Sequence, residues 1–261
     1  MALFSIKIAG AVFQVRSLFE STRDYCRAYL TEEAADCTIE ICREDLDFEQ
    51  RAAREEAELE GFRYRNFPDP YLERTAIQRK AAEFLFSRDV LVFHGSVVAV
   101  DGQGYLFTAK SGTGKSTHTR FWRQVFGDRA VMVNDDKPFL RFTEEGVLVC
   151  GSPWSGKHGL DTNITVPLKA VCILERGPEN RIRPIAARDA LFMLLQQSNR
   201  PLDKTLMPKY LELVDRLAAG TRFWRMECNL DPEAARVAHE AMSAVTKPGI
   251  GEKTICFSGN S

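Results

Sequence analysis

"TAKSGTGKSTHTRFW", Thr108–Trp122, decides how the rest of the chain is read. Its centre, SGTGKST, orders glycines, a lysine and hydroxyl residues as a phosphate-wrapping loop does. Backbone N–H groups from Gly112 through Thr113 and Gly114 to Thr117 can form a concave nest for an anion. A helix opening at about Gly114 adds positive potential at the same point. Ser111 leads into the nest, and glycine at 112 and 114 permits positive φ and close approach to the anion. Lys115 would bridge the outer phosphates of a nucleotide, and the Ser116 hydroxyl would ligate Mg²⁺. The pattern ordinarily opens on glycine, and here Ala109 stands there, small enough to keep the exit from strand to loop. A glycine-rich turn capping an ordinary helix shares some of these features. GKST directly after a strand is more specific than that.

The second signal is "VMVNDDKP", Val131–Pro138, a hydrophobic strand ending in acid. Adjacent carboxylates at a strand end point different ways, so one can hold Mg²⁺ while the other takes a proton from an attacking hydroxyl. Alone, the pair would read as a cap before Pro138; downstream of a phosphate loop it reads as chemistry. The third is "CGSPWSGKHGLDTN", Cys150–Asn163, whose glycines and serines suggest a mobile loop that could bring Lys157 to a transferring group. A plain surface loop is the competing reading.

Around these motifs the chain divides. Residues 1–88 read as a small α+β lobe: a hairpin over Phe4–Ser17, partial helix over Leu18–Leu30, and a strand over Cys37–Arg43. A charged helical stretch follows over Phe48–Glu60, with a solvated face. A helix then opens at Pro68–Pro70 with Ile77, Ala81, Phe84 and Leu85 on one face. Residues 89–247 read as the core: strands over Val90–Val100, Tyr105–Ala109, Ala130–Asn134, Phe139–Phe142, Val147–Cys150, Ala170–Glu175 and Phe223–Cys228. Its helices fall over Gly114–Phe126, Ala187–Gln197, Lys204–Ala219 and Asp231–Val245, the last with Asp231 at the N-cap and Pro232 at N1. DGQG, Asp101–Gly104, is a hairpin turn. Residues 248–261 are polar and read as a disordered tail.

Composition narrows the partners. The 261 residues carry 35 Lys and Arg against 36 Asp and Glu, so no strong field calls for nucleic acid or anionic lipid. The 7 cysteines are scattered without a CxxC pair, which suits buried thiols in a reducing compartment. No apolar run is long enough to span a bilayer, and the N-terminus lacks a secretory pattern, so a cytoplasmic protein is expected.

HGSVVAV (His94–Val100), SGTGKST and VNDDKP, in this order and spacing, resemble the catalytic domain of HPr kinase/phosphorylase. More closely they resemble the compact HPr-kinase-related kinases often located beside peptide-modification genes. The loop is also similar to that of ATP-dependent phosphoenolpyruvate carboxykinase, which shares the fold. The resemblance covers mainly Val90–Val171. It implies an α/β fold with a mixed, strongly bent sheet around an HPr kinase/phosphoenolpyruvate carboxykinase-like P-loop core, not an all-parallel sheet. It implies His94 near the catalytic acid, Asp135 as the acid/base, Asp136 as its metal-holding neighbour, and Lys115 and Ser116 at phosphate and metal. The chain departs from the HPr kinases at Ala109, and at Thr117, where they usually place Glu. HPr itself is therefore not the expected acceptor.

The expectation is a Mg²⁺- and ATP-dependent kinase acting on a hydroxyl, foremost Ser or Thr of a peptide or protein. A small-molecule kinase and a nucleotide-binding module that transfers nothing are the alternatives, and self-association is left open.

Overall fold

The computed structural model describes residues 1–61 and 63–244; the tail expected from residue 248 lies outside them. The chain opens with β1 (Ala2–Ile8) and β2 (Ala11–Ser17), an antiparallel pair, followed by the short helix α1 (Glu20–Tyr25). β3 (Cys37–Glu40) joins parallel to β2 to complete a three-stranded sheet. Period-two alternation turns Phe4, Ile6 and Ile8 inward from β1, and Phe13 and Val15 from β2.

α2 (Arg43–Glu60) starts on a capping box between Cys42 and Asp45, and α3 (Asp69–Phe86) starts after Pro68. Leu72, Ala76, Ile77, Ala81 and Leu85 of α3 recur at helical spacing and pack into the small-lobe core, which also takes in Phe139, Cys150 and Trp154 of the larger unit. The charged stretch expected to be a solvated face does not stay in solvent throughout. Phe48, Glu49, Ala52 and Glu56 of α2 line a cleft facing the rest of the molecule.

The larger unit begins with β4 (Val90–Val92), β5 (Ser96–Val100) and β6 (Gln103–Thr108), then α4 (Lys115–Phe126). β7 (Ala130–Asn134), β8 (Phe139–Phe142), β9 (Val147–Cys150) and the long β10 (Thr165–Arg176) follow. The order closes with β11 (Arg181–Ile185), α5 (Ala187–Gln197), α6 (Met207–Gly220), β12 (Phe223–Cys228) and α7 (Glu233–Ser243). The strands form a nine-stranded sheet in the order β4-β8-β9-β10-β6-β5-β7, with β12 on β10 and β11 on β12.

The sheet is mixed. β6 lies parallel to β10 and antiparallel to β5, and β10 is antiparallel to β9 but parallel to β12. Alternate residues serve opposite faces. Val97, Ala99, Leu106, Val171 and Ile173 meet α5 and α6, whereas Val98, Val100, Phe107, Cys172 and Leu174 meet α4 and α7. Asp101 and Gly102 both have positive φ, 51° and 75°, so the β5–β6 turn follows the sheet's twist.

Local departures from the sequence reading have local causes. The run Val90–Val100 is two strands, because the His94 N–H donates to the Gln197 carbonyl (2.6 Å) and the Gly95 N–H to the Asp136 carbonyl (3.0 Å). The last helix starts at Glu233 with Pro232 at its N-cap, while the Asp231 carboxylate accepts from the Glu233 N–H at 2.9 Å. β11 carries no strand pattern in its sequence. RIRPI is charged and contains proline, which its edge position tolerates. The thiols are mixed: Cys26, Cys150 and Cys172 are buried, and Cys42 is exposed.

One buried carboxylate ties the small lobe together. Glu73 of α3 is fully buried and accepts from the Leu18 and Phe19 N–H groups and the Thr22 hydroxyl. Glu73→Ala would strand these donors and should destabilise the protein by roughly 2–4 kcal/mol in urea unfolding. A loss below about 1 kcal/mol would show that water replaces the carboxylate there.

Candidate functional site

Between the end of β6 and the start of α4 the chain runs through Ala109–Gly114. Gly112 (φ 75°) and Gly114 (φ 120°) hold left-handed backbone, and a Cβ at either would meet nothing, so conformation and not contact demands glycine here. Ala109 is fully buried in the core shared with α4, which accounts for a small apolar residue where the pattern has glycine. The loop's carbonyls are held from outside: Arg176, at the end of β10, donates to the Gly112 carbonyl (2.5 Å) and the Thr113 carbonyl (3.3 Å). Lys115 is folded back, its Nζ donating to the Ala109 carbonyl at 3.2 Å. Burial lowers its pKa, and the Asp136 charge opposes that.

β7 carries the acids. Asn134, fully buried, accepts at Oδ1 from the Asp136 N–H (2.8 Å) and the Lys137 N–H (2.6 Å). Its amide donates to Ser152 and to the Trp154 carbonyl. The turn thereby separates the two carboxylates. Asp135 is 6% exposed, and its Oδ1 accepts from the Ser96 hydroxyl at 2.6 Å. Ser96 in turn contacts Thr119 of α4 at 3.0 Å. Asp136 is more open, its side chain 34% exposed, with Oδ1 3.3 Å from His94 Nε2. Burial raises the Asp136 pKa, against the lowering by Lys137 and Lys115. Burial, then Lys137 and Lys115, hold His94 down at about 3, so the imidazole is neutral and its contact with Asp136 is dipolar, not an ion pair.

The loop expected to be mobile is largely anchored. Trp154 Nε1 donates to the Arg74 carbonyl (2.8 Å) and the Tyr25 hydroxyl to the Pro153 carbonyl (2.5 Å). Asp161 accepts from the hydroxyls of Ser155 (2.5 Å) and Tyr29 (2.8 Å), so it works as a structural acceptor. Gly156, Lys157, His158 and Gly159 are the exposed tip.

Ser111, Gly112, Gly114, Lys115, Ser116 and Thr117 line one cleft of about 1120 Å³, together with His94, Asp135, Asp136 and Lys157. Thr113 is outside that lining and meets Arg176 through its carbonyl. Sequence reasoning gave no role to Lys137, although it stands beside the acids in VNDDKP. It also missed Arg176 and the α3 side chains Tyr71, Arg74 and Gln78, which no local pattern announces. Among the described residues no three His, Cys, Asp or Glu side chains gather as a ready metal cage. Among the described residues no helix is long and apolar enough to cross a membrane.

A family model described as the SynChlorMet cassette protein ScmC matches residues 76–216, more than half of the chain. The match begins inside α3 and takes in His94, the glycine-rich loop, the acid pair and Lys157. Among solved structures, the Hpr(Ser) kinase/phosphatase from Coxiella burnetii is a distant likeness: 12% identity, 59% of this chain and 99% of that chain covered, TM-score 0.34. No curated protein matches the chain.

His118, like His94, is held down to about 3 by burial, and its Nε2 accepts from Trp122 Nε1 at 3.0 Å. Below about pH 6.5 an unfolded histidine takes up a proton that these folded ones refuse. Their contribution is therefore complete above about pH 6.5. It is lost as pH falls toward about 3, by up to about 1.4 kcal/mol per pH unit for each histidine. The imidazole resonances of both should stay still in an NMR titration from about pH 8 to 5. A midpoint near 6 for either would mean that its pocket is wet.

Proposed function

The chain belongs to the SynChlorMet cassette protein ScmC family, and from that premise and the geometry of its cleft we propose a Mg²⁺- and ATP-dependent kinase that phosphorylates a hydroxyl, foremost of a Ser or Thr in a peptide or protein. One observation carries the reading: a glycine-rich helix entry with its lysine, an acid pair of unequal exposure and a neutral histidine face the same cleft. Each of these has a use in phosphoryl transfer, where positioning and charge stabilisation do most of the work.

Mg²⁺ keeps several waters and takes one or two carboxylates plus phosphate oxygens. Ser116 and one acid of the pair would hold it. When bound, it would neutralise charge on the β- and γ-phosphates. The unequal burial of the pair favours roles exchanged from those the resemblance implies. Asp135 lies deep, linked through Ser96 to Thr119, one turn beyond Ser116, which suits a metal ligand. Asp136 faces the open cleft, and burial raises its pKa, which strengthens it as a base.

Asp136 would take the acceptor's hydroxyl proton. The freed oxygen bonds to the γ-phosphorus as the bridging P–O bond breaks, and ADP leaves with the electron pair. His94 orients the Asp136 carboxylate. Lys115 moves from the Ala109 carbonyl to the phosphates, and Lys157 brings charge from the loop tip.

Lys115→Ala should weaken ATP binding tenfold to a hundredfold by calorimetry, the worth of a charge-assisted contact of roughly 1.5–3 kcal/mol. Unchanged affinity in a folded variant would sink the phosphate-loop reading. Asp136→Asn should keep Mg·ATP affinity and lose transfer by about 10²–10⁴-fold, and Asp135→Asn should raise the Mg²⁺ needed for ATP binding. The opposite outcome restores Asp135 as the base and Asp136 at the metal. Wild-type behaviour in both variants would leave the pair structural. Lys157→Ala should slow single-turnover transfer far more than it weakens ATP binding. A rate within about twofold of wild type would return Lys157 to the surface.

A further inference from the structure

The cleft has a second wall that the phosphate chemistry does not use. α3 presents Tyr71, Arg74, Thr75, Gln78 and Arg79 to it at helical spacing, away from Leu72, Ala76 and Ile77, which enter the small-lobe core. α2 adds Glu56, and α3 adds Glu83 further along.

The polar groups of this wall are unevenly satisfied. Arg79 is neutralised by Glu49 (2.6 Å) and Asp45 (3.3 Å). Glu56 and Glu83 have no cationic partner among the described residues. The nearby groups feel them: Glu56 adds to the rise in the Tyr71 pKa, after burial and Asp136, and Glu83 adds to that of Glu49. Gln78 is only 8% exposed, and its Nε2 has no hydrogen-bond acceptor. Arg74 lies 4.2 Å over the Tyr25 ring, and its Nε is likewise buried without an acceptor. Tyr71, 49% exposed, stacks on Phe67 at 4.7 Å, and it lines the same cleft as the acid pair.

The missing complement has a definite chemistry. Buried donors without acceptors call for carbonyl oxygens. Carboxylates without cations call for a basic group. An exposed aromatic pair calls for an apolar side chain. A nucleotide's phosphates carry the wrong charge for this wall and suit the lysine side opposite. From Tyr71 to Glu83, α3 runs for about 18 Å, the length of five or six extended residues. A small hydroxylated metabolite would leave most of it untouched.

We propose that the α3 wall is the acceptor site, and that the acceptor is an extended peptide segment with basic side chains flanking the hydroxyl. The Gln78 amide and the Arg74 guanidinium meet its backbone carbonyls, Glu56 and Glu83 each meet a different basic side chain along it, and the Phe67–Tyr71 pair meets an apolar side chain near the acids. This rests on the kinase reading and names that kinase's substrate class.

The test uses the full chain with Mg²⁺ and γ-labelled ATP. Two degenerate peptide pools are offered, each with a central Ser or Thr, one with Lys and Arg in the flanks and the other with Asp and Glu. The basic pool should be labelled at least tenfold faster. The double variant Glu56→Lys, Glu83→Lys should cut that preference at least fivefold with Mg·ATP affinity unchanged by calorimetry. If the double variant does not fold, Glu56→Lys alone, at an exposed position, should move the preference the same way. Equal labelling, preference for the acidic pool, or a preference that ignores charge reversal overturns the proposal. So does labelling of neither pool by a protein that binds Mg·ATP, which points to a small-molecule acceptor. Failure to bind Mg·ATP at all overturns the kinase reading instead.

Discussion

Asn134 is the constraint on which the cleft depends. Its side-chain carbonyl fixes the turn that separates Asp135 from Asp136, and its amide fixes the 152–154 segment. That segment then reaches the small lobe, through Trp154 to the Arg74 carbonyl and through Tyr25 to the Pro153 carbonyl. A single buried amide thus couples the orientation of the acids to the position of α3. No apolar residue of similar size could do both, because it would leave the N–H groups of the turn and the carbonyls of the loop unpaired.

Around that turn the electrostatics are arranged with few free charges. The neutral His94 adds a dipole beside Asp136 without adding a positive charge. Lys115 and Lys137 line the same cleft, and both lower the pKa of Asp136 and of His94. Partial burial makes such charges act more strongly than they would in water, and here they are already in position. Arg176 works differently. By holding the carbonyls of Gly112 and Thr113, it fixes the orientation of that peptide stretch.

Much of this was legible because it is contiguous. The glycine-rich loop, the acid pair and His94–Gly95 each carry their meaning within a few residues. β7, β8, β9, α5 and β12 fall where apolar spacing puts them. The illegible parts depend on long-range docking. Ser96 is an ordinary serine until the fold sets it on Asp135, 39 residues away. Arg176 meets a loop 63 residues earlier in the chain. Helix α3 was harder still. One face packs in the lobe and another lines the cleft, so its sequence lacks the clean polar stripe by which a surface helix is recognised. The glycines of Cys150–Asn163 suggest a mobile loop, yet the partners that anchor it, Asn134, Tyr25, Tyr29 and the Arg74 carbonyl, lie elsewhere in the sequence.

The anchoring of that loop bears on how the cleft can operate. Rotating the small lobe away would break the Trp154–Arg74, Tyr25–Pro153 and Tyr29–Asp161 contacts, and also the bond from the Asn163 amide to the Ala28 carbonyl. It would also open the apolar contact of Trp154 and Phe139 with the small-lobe core. Losing several hydrogen bonds and a buried tryptophan together costs several kcal/mol, more than a weakly bound substrate returns. Substrates therefore enter a cleft that is already formed. On the proposed kinase reading the motions left would be small ones: Lys115 exchanging the Ala109 carbonyl for a phosphate, and the exposed tip around Lys157 folding inward. As the proposed site, a cleft of this kind would spend little binding energy on closure, and its selectivity would come from how well the fixed α3 wall matches what lies along it.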